Sequence, residues 1–338
     1  MANKEKEFNA LIVRRNEDKQ FTYKIEKKSI SSLIKKEIFI KVYYSSINYK
    51  DGMSCLGNPS ITRKFPHTPG VDAVGVVEKS LNPEFKLGDQ VLIIGFPLGM
   101  NISGGFGEYI YAPSEWVQKI NFNLSFEEIM AYGTAGYTSA LAIEKIISKY
   151  GEIKNKSFLV SGISGGCGSF TAAILNKLGA KVTGITRKKS SLDDLKNKLC
   201  LDNLLESNKF ILDRKQNLSL PRWDGGFDFV GGKTLDAILK SVKINGDVTA
   251  AGIVESSQIE TNLLPFILRG ITLHGINTEE NLKIKSKPLW NRLSKEWKPI
   301  NFTDLYKVIE LEDLPFYIEL FLQSKIIGRI VVKHNHSE

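Results

Sequence analysis

The feature that most constrains the fold is a glycine-rich turn between a short apolar run and a helix-like segment. The turn, Gly162-Ile-Ser-Gly-Gly-Cys-Gly168, follows an apolar run at 157–160 and precedes a helix-like segment at 170–179. A second apolar run follows at 181–186. Glycines allow a sharp turn and a close approach of the backbone to a pyrophosphate at a helix N-terminus. In this strand–turn–helix–strand context, the pattern predicts a dinucleotide site rather than an ordinary turn. The residues expected to cradle the pyrophosphate are Ser164, Gly165, Gly166 and Cys167.

The chain changes character near residue 125. Residues 8–124 contain short alternating runs separated by turn signals, a pattern typical of a small, barrel-like β domain. Ser125-Phe-Glu-Glu128 then has the spacing of a helix capping box. Beyond it, apolar strands alternate with helical stretches, which predicts an α/β domain with a doubly wound parallel sheet. The further elements expected are strands at 37–44, 72–78, 89–95, 107–112, 227–230, 247–251 and 329–333, and a helix at 314–324.

Composition narrows the classes of function. The 338 residues are 42% hydrophobic and 25% charged, as in soluble globular proteins, and leave room for two domains. The first residues are polar and the longest apolar run, 91–100, is interrupted by glycine and proline, so we expect no secretory signal and no membrane partner. The net charge of +9 is scattered, so we expect no nucleic-acid partner. Attraction of a phosphorylated cofactor or a coenzyme A ester is a weaker interpretation.

Cysteines and histidines give no sign of a metal or disulfide framework. Cys55, Cys167 and Cys200 are odd in number and far apart, which predicts reduced thiols in a cytoplasmic protein. None of the 4 histidines falls in a cluster with metal-ligand spacing. We expect His334 and His336, near the C-terminus, to be solvated.

The end of the second apolar run distinguishes the two nicotinamide dinucleotides. An NAD site usually places Asp or Glu there, bonded to the ribose hydroxyls. This chain instead reads Thr186-Arg-Lys-Lys189. A hydroxyl and cations suit the charged 2′-phosphate of NADPH, so Thr186, Arg187 and Lys188 are predicted to bind it. A solvated basic turn is the alternative.

Several blocks of the sequence resemble one enzyme superfamily. They are Tyr44-Ser-Ser-Ile-Asn-Tyr-Lys-Asp51, Phe65-Pro-His-Thr-Pro-Gly-Val-Asp72, Gly133-Thr-Ala-Gly-Tyr-Thr138, the glycine turn, Pro265-Phe-Ile-Leu-Arg269 and Gly328-Arg329. With strands first and the cofactor domain second, the chain resembles the medium-chain dehydrogenase/reductase superfamily. More closely, it resembles the acrylyl-CoA reductase (AcuI/YhdH) family, often labelled quinone oxidoreductase. The resemblance runs nearly end to end.

The resemblance implies a GroES-like catalytic domain over 1–124, completed by 301–338, and a Rossmann NADPH-binding domain over 125–300. It also implies a homodimer. Zinc alcohol dehydrogenases of the superfamily carry metal ligands in the two early blocks, where Asn48 and Asp72 here stand among non-ligand residues. We therefore expect a zinc-independent enzyme. The chain departs from the family at Cys167, where Val is usual, and at Cys200, where Gly is usual; we expect only local consequences.

The resemblance also implies the site residues. Asn48, Tyr49 and Asp72 are expected to be catalytic, with Tyr49 against the nicotinamide. Strand-end position in an open α/β sheet supports part of the cofactor set. The cofactor residues expected beyond the glycine turn and the basic segment are Tyr49, Thr134, Gly252, Ile253, Asn277, Thr278 and Arg329.

Alternatives stay open for several of these residues. Asp72 either orients a donor or relays a proton, or it ties its loop through hydrogen bonds. Arg329 either binds ligand or forms a surface ion pair. Tyr49 has an aromatic-core alternative. Arg63 and Lys64 either meet coenzyme A phosphates or belong to a solvated loop.

The activity expected from the resemblance is NADPH-dependent reduction of the C=C bond of acrylyl-CoA to propionyl-CoA. Without a metal, this needs a hydride at the β-carbon, donors aimed at the thioester oxygen and a proton for the α-carbon. Asn48, Tyr49 and Lys50 form the available donor cluster. A quinone or general enone reductase is the alternative enzyme. A non-catalytic NADPH-binding protein is a third hypothesis, which the intact cluster disfavours.

Overall fold

The computed structural model describes residues 6–188, 192–214 and 216–336. The strands are β1 (Glu7–Arg15), β2 (Phe21–Ser29), β3 (Ile38–Ser46), β4 (Asp72–Ser80), β5 (Gln90–Ile93), β6 (Tyr109–Ala112), β7 (Gln118–Lys119), β8 (Ser157–Val160), β9 (Lys181–Thr186), β10 (Asn203–Glu206), β11 (Trp223–Asp228), β12 (Val242–Ala250), β13 (Thr272–Gly275), β14 (Tyr306–Glu310) and β15 (Arg329–Lys333). The helices are α1 (Tyr49–Cys55), α2 (Phe126–Tyr150), α3 (Gly166–Lys177), α4 (Leu192–Lys198), α5 (Ser207–Leu212), α6 (Gly232–Leu239), α7 (Leu264–Arg269), α8 (Thr278–Leu293) and α9 (Leu314–Leu322). Within these described ranges, no helix is both long enough and apolar enough to cross a membrane.

The chain forms two compact units. One comprises Met1–Thr134 and Tyr306–Glu338, and the other comprises Ala135–Leu305. The sequence places the first division at 124/125, whereas the units divide ten residues later, inside α2. The predicted capping box does begin this helix: the Ser125 amide donates to Glu128 Oε2 at 3.0 Å, and the Glu128 amide donates to Ser125 Oγ at 3.1 Å.

The first unit is mainly β, as predicted. Its larger sheet has the strand order β14-β15-β3-β4-β5-β7, with β6 also paired to β3, and β1 and β2 form a separate antiparallel hairpin. Alternate residues of β3 are buried because successive side chains on a strand point to opposite faces. β15 pairs antiparallel with β3, so the last strand completes a sheet begun near the N-terminus.

The second unit contains the predicted doubly wound sheet. Its strand order is β10-β9-β8-β11-β12-β13, and every neighbouring pair is parallel. Apolar residues of the sheet and helices form a common core, including Leu159, Ile185, Ile238 and Val248. The strand order reverses between β8 and β11, and open α/β sheets bind ligands at the carboxyl ends of strands at such a point.

Candidate active site

The glycine turn begins where β8 ends and leads directly into α3. Gly162 has a φ of +58°, which L side chains rarely adopt. A Cβ on Gly168 would lie 2.3 Å from the Gly162 carbonyl oxygen, so only glycine lets the first helical turn pack against the loop. The N-cap of α3 is Gly165, which has no side-chain oxygen to bond the first-turn amides. This end of the helix therefore fits the pyrophosphate that the sequence predicts.

β9 ends in a buried hydroxyl followed by two cations. The amide of Lys188 donates to Thr186 Oγ1 at 3.1 Å, which fixes the turn after the strand. Arg187 is exposed, and burial lowers the pKa of the half-buried Lys188 from its ordinary value. Lys189, the third cation of the predicted stretch, lies outside the described residues. The described part of this segment matches the donors that a 2′-phosphate requires.

Asp228 organises the loop after β11. It is fully buried, its Oδ1 accepts from Ser161 Oγ at 2.7 Å, and its Oδ2 accepts from the Gly231 amide at 2.7 Å. The Ser161 hydroxyl in turn accepts from the Phe229 amide at 2.8 Å. Burial raises the pKa of Asp228 to about 6. This network joins the ends of β8 and β11, next to the glycine turn.

Two of the predicted nicotinamide residues follow β12. Gly252 packs so closely that a Cβ there would lie 2.0 Å from the Phe229 carbonyl oxygen. Ile253 is 60% exposed and Val254 is 42% exposed. This exposed apolar pair lies at a strand end, and contact of Ile253 with the nicotinamide stays a prediction.

The two predicted residues after β13 have structural partners. Asn277 caps α8, since its Oδ1 accepts from the Glu280 amide at 3.3 Å. The Thr278 hydroxyl lies 2.8 Å from the Thr138 hydroxyl. These contacts explain both side chains without a ligand.

Asp72 is the centre of a buried polar cluster in the first unit. It is 0% exposed. Its carboxylate accepts hydrogen bonds from Ser46 Oγ at 2.9 Å, Asn48 Nδ2 at 2.7 Å, the Thr134 amide at 2.9 Å, Thr134 Oγ1 at 2.5 Å and Arg329 Nη2 at 3.2 Å. A buried charge is tolerated when it is both paired and hydrogen-bonded, and Asp72 is both. The geometry therefore favours the structural interpretation of Asp72.

A kink in α2 completes this cluster. Gly133 has φ 50° and ψ −156°, inside an otherwise helical segment. A Cβ on Gly133 would lie 2.3 Å from Asp72 Oδ2 and 2.6 Å from Arg329 Nη2. The kink turns Thr134 toward Asp72, and the Thr134 hydroxyl also accepts from the Gly95 amide at 2.7 Å. The hydroxyl predicted to meet the cofactor is thus held by protein groups.

Arg329 forms an ion pair that is buried, not superficial. Its side chain is 3% exposed, so the surface alternative is wrong. A guanidinium has five N–H donors. The acceptors that they meet are Ala131 O, Ile47 O, Asn48 Oδ1, Ser46 Oγ and Asp72 Oδ2, at distances of 2.6 to 3.3 Å. Because these acceptors account for all five donors, the Arg329 side chain has no N–H group left for a cofactor.

The start of α1 divides the predicted donor cluster into two groups. Asn48 Nδ2 donates to Asp72 at 2.7 Å and to the Ser46 carbonyl at 3.3 Å, so both of its N–H groups are directed into the protein. Tyr49 is 43% exposed and Lys50 is also exposed. In the part of the chain that the structure describes, the Tyr49 hydroxyl has no hydrogen-bond partner. Tyr49 and Lys50 therefore hold the donors available to a substrate.

Asp51 fixes the first turn of α1 by accepting hydrogen bonds from three backbone amides. It is 1% exposed and accepts from the amides of Asn48 at 2.8 Å, Gly70 at 3.1 Å and Val71 at 2.9 Å. Burial raises the pKa of Asp51 to about 7. These bonds tie the first turn of α1 to the segment before β4.

The C-terminal histidines correct another expectation. His334 is 3% exposed rather than solvated, and its Nε2 lies 3.0 Å from Ser45 Oγ. Burial lowers the pKa of His334 to about 3. His336 is half-buried with Nε2 2.8 Å from the Val42 carbonyl. Among the described residues, no group of three His, Cys, Asp or Glu could hold a metal ion.

The two departures from the family pattern have only local effects. Cys167 lies in the first turn of α3, where its carbonyl accepts from Ser139 Oγ at 2.8 Å. Cys200 follows α4 with a φ of +50°, the left-handed conformation that explains why glycine is usual there. Neither residue is in a disulfide, and neither is Cys55.

Sequence reasoning missed three contributors. Ser46 bridges Asp72 and Arg329, and its only signal was a serine ending an apolar, alternating strand. Gly133 stands in one of the sequence blocks without a signal of its own, although its kink places Thr134. The pair Arg14-Arg15 lies at the end of β1 beside Arg63, Lys64 and Phe65, which no local pattern indicates.

Comparison with known proteins shows which family the chain belongs to. The model described as "Alcohol dehydrogenase GroES-like domain" matches residues 34–122, and that described as "Zinc-binding dehydrogenase" matches residues 166–294. A relative from Bacillus subtilis, named putative quinone oxidoreductase YhfP, is 34% identical over 327 residues, covering 96% of this chain and 98% of the relative. The chain belongs to the medium-chain dehydrogenase/reductase superfamily. The predicted GroES-like and Rossmann architecture is confirmed.

Other members of the superfamily match over the same length. The protein named acrylyl-CoA reductase AcuI from Ruegeria pomeroyi is 31% identical, covering 97% of this chain and 99% of its own. The crystal structure of Escherichia coli K-12 YhdH with bound NADPH is 30% identical with a TM-score of 0.90, covering 96% of this chain and 100% of that one. The crystal structure of Bacillus subtilis YhfP with NAD bound is 32% identical with a TM-score of 0.89, covering 97% and 99%.

Proposed function

We propose that this member of the superfamily is an NADPH-dependent, zinc-independent reductase of acrylyl-CoA. The observation that carries the cofactor choice is the end of β9, where Thr186, Arg187 and Lys188 stand in place of a carboxylate. Together with the glycine turn, this segment offers amides to a pyrophosphate and cations to a 2′-phosphate. The NADPH complex of the YhdH relative supports the choice, while the NAD complex of the YhfP relative makes it a matter for experiment.

The substrate is proposed from the relatives and from the exposed part of the Asn48–Asp51 block. The relative named acrylyl-CoA reductase spans nearly the whole chain. The relative named putative quinone oxidoreductase is the observation that favours the second candidate, reduction of a quinone or another enone. Both reactions add a hydride to an electron-poor double bond, so they need the same kind of donor at a developing oxyanion.

In the proposed reaction, the glycine turn and the segment after β9 would hold NADPH, which would supply the hydride for the β-carbon of the thioester. Negative charge then grows on the thioester oxygen, and a proton is added at the α-carbon to give propionyl-CoA. We assign Tyr49 to donate its phenolic hydrogen bond to that oxygen, because the residue is 43% exposed and no described group bonds its hydroxyl. Asn48 acts as a positioning residue, since its side-chain donors hold Asp72 and Ser46.

The decisive assay follows NADPH oxidation with acrylyl-CoA, with a simple quinone and without an acceptor. We expect the highest kcat/KM with acrylyl-CoA. A higher value for the quinone would establish the second candidate instead. Tight NADPH binding without turnover of either acceptor would point to a non-catalytic binding protein.

Cofactor choice is tested with Arg187→Glu. A carboxylate at this exposed position repels the 2′-phosphate and accepts from ribose hydroxyls, so NADPH binding should weaken by more than tenfold relative to NADH. Arg222→Glu, an equal charge change at another exposed position of the second unit, should leave the ratio of the two dissociation constants unaltered. Unchanged selectivity in Arg187→Glu would overturn the NADPH assignment.

We also propose a homodimer. β13 is an edge strand of the six-stranded sheet, with its backbone groups unpaired on one side among the described residues. The preceding segment exposes large apolar side chains, with Leu263 70%, Ile267 68% and Leu268 62% accessible. Such a surface favours association. Light scattering after size-exclusion chromatography should give twice the mass of the chain, and a monomeric mass would contradict the proposal.

A further inference from the structure

The first unit contains an open cavity that the proposed reaction has not used. Its volume is about 500 Å³, and its lining residues are Arg14, Arg15, Arg63, Lys64, Phe65 and Pro66. Ligand pockets commonly have volumes of roughly 300–1,000 Å³. Most of this lining is cationic, which is unusual because like charges repel when nothing lies between them.

Backbone pairing explains why these distant cations converge. The Val13 amide donates to the His67 carbonyl at 2.7 Å, and the His67 amide donates to the Val13 carbonyl at 2.9 Å. This antiparallel bridge aligns the end of β1 with the segment before His67. Residues Arg14 and Arg15 after the bridge therefore lie beside Lys64 and Phe65 before it.

The positive charge of the cavity is only partly neutralised. Arg14 donates to Glu26 at 2.6 and 3.2 Å. Arg63 Nε donates to the Pro59 carbonyl at 3.4 Å, which is a neutral partner. Over the described ranges of the chain, Arg15, Arg63 and Lys64 have no carboxylate within ion-pair distance. These cations suit an anionic ligand with several phosphate oxygens, to which Arg can donate in pairs.

An aromatic wall adjoins the cations. Phe65 is half-buried and its ring centroid lies 4.8 Å from that of Phe21, which holds the ring in place. Pro66 is exposed beside it. A nucleobase stacks on such an apolar surface, and base–aromatic stacking does not depend on the identity of the base. Phosphate-binding cations next to an aromatic ring indicate a phosphorylated nucleoside.

The cavity lies a few positions along the chain from a contact of the first turn of α1. Gly70 is only four positions after Pro66, so their Cα atoms are at most about 14 Å apart. The Gly70 amide donates to Asp51 at 3.1 Å, and Asp51 anchors the turn that carries Tyr49. A ligand that reaches from the cations to Tyr49 must therefore be long, with its phosphates at one end and its reactive group at the other.

We propose that this cavity binds the phosphorylated adenosine end of a coenzyme A thioester. The proposal deepens the proposed function and rests on it for the identity of the acyl group. A coenzyme A ester has the required form: phosphates and adenine at one end, an extended arm, and the reactive acyl group at the other. A simple quinone has no group that these cations would bind, so occupancy of the cavity separates the two candidate substrates.

The test measures binding of coenzyme A itself, without an acyl group, to the protein saturated with NADP⁺. Saturation fills the proposed adenosine site of the second unit, so that the assay measures coenzyme A binding only at other sites. Adenosine 3′,5′-bisphosphate should compete with coenzyme A. Arg15→Glu and, as a second variant, Lys64→Glu should each weaken coenzyme A binding by more than tenfold. Lys79→Glu makes the same charge change as Lys64→Glu at an exposed position outside the cavity and should bind as the parent protein does.

A kinetic measurement connects the cavity to turnover. The ratio of kcat/KM for acrylyl-CoA to that for acrylyl-pantetheine, which lacks the nucleotide, should fall more than tenfold in Arg15→Glu. A ratio equal to that of the parent protein would overturn the proposal, as would failure of adenosine 3′,5′-bisphosphate to compete. Tighter, Arg15-dependent binding of a single-stranded oligonucleotide at the same salt concentration would also overturn it, in favour of nucleic acid.

The two proposals fail in different ways. If acrylyl-CoA is not reduced but coenzyme A binding still depends on Arg15 and Lys64, the cavity assignment stands and the proposed reaction falls. If acrylyl-CoA is reduced and neither variant alters coenzyme A binding, the reaction stands and the cavity assignment falls.

Discussion

Replacing Asp72 by asparagine tests the structural role of the buried cluster most directly. The substitution keeps the shape of the side chain but removes its charge. Asp72 Oδ1 accepts from the Thr134 hydroxyl, and Oδ2 accepts the remaining four bonds. The amide nitrogen of asparagine is a donor, so one of these positions would bring two donors together. Arg329, with a side chain 3% exposed, would keep its charge without a counterion.

The expected loss follows from that unpaired cation. Removing one partner of a buried ion pair costs about 3–5 kcal/mol, because the remaining charge stays desolvated. Each lost hydrogen bond to a charged group contributes about 1.5–3 kcal/mol, but bonds that share one carboxylate are not additive. We therefore expect Asp72→Asn to lower the free energy of unfolding by about 3–5 kcal/mol in total. Since domains are stable by roughly 5–15 kcal/mol, the variant should still fold in mild conditions.

Urea unfolding of Asp72→Asn, of Arg329→Gln and of the double variant measures these losses of unfolding free energy. Asp72→Asn combined with Arg329→Gln should lose less than the sum of the single losses, because the second change removes the unpaired charge. Asp89→Asn is the matched control: Asp89 pairs with Lys119 at 2.7 Å on the surface, where ion pairs contribute little. A loss below about 1 kcal/mol in Asp72→Asn would refute the reasoning from buried charge.

The same variant distinguishes the two roles left open for Asp72. If the residue only holds the cluster, the folded variant should keep the shape of the pH profile of kcat. If Asp72 relays a proton, the profile should lose one limb although the protein remains folded. The second result would restore the catalytic interpretation that the geometry disfavours.

Two further predictions concern backbone strain and pH. Cys200→Gly should raise stability by about 0.5–1 kcal/mol, because glycine adopts the φ of +50° without strain; thermal unfolding measures this, and Cys200→Ala should show no such gain. Burial raises the pKa of Asp51 from 3.8 to about 7, so its contribution to stability is fully present below pH 3.8 and is lost as the pH rises through about 7. The stability of the parent protein relative to Asp51→Asn should therefore fall between pH 4 and pH 8. Urea unfolding at several pH values measures this, and the same pH dependence of the unfolding free energy in both proteins would contradict it.

The second unit was predictable because its signals are local. The glycine turn lies within one strand–turn–helix segment, and the positive φ of Gly162 and the close packing of Gly168 both occur inside that segment. The parallel order of the strands follows from their alternation with helices. The absence of a carboxylate after β9 could likewise be read directly, because it depends on residue identity alone.

The polar cluster of the first unit was not predictable in the same way. Asp72 and Arg329 are 257 positions apart, and they meet because β15 pairs with β3, which pairs with β4. No local pattern indicates such a partner. The burial of His334 has the same cause: a histidine near the end of a chain is usually exposed, but here β15 places it beside Ser45 on β3.

The start of α1 shows how one short motif separates structure from chemistry. Asn48 is the N-cap and Asp51 the third helical residue, and the two are joined because the Asn48 amide donates to Asp51 at 2.8 Å. Both side chains are also bonded to neighbouring segments of the first unit, so their polar groups are used in holding the helix. The two positions between them have no capping role, and their side chains, Tyr49 and Lys50, are exposed. A substrate that needs a donor from this block must therefore meet the residues between the capping pair, which is why the proposed reaction assigns the donor to Tyr49 rather than to Asn48.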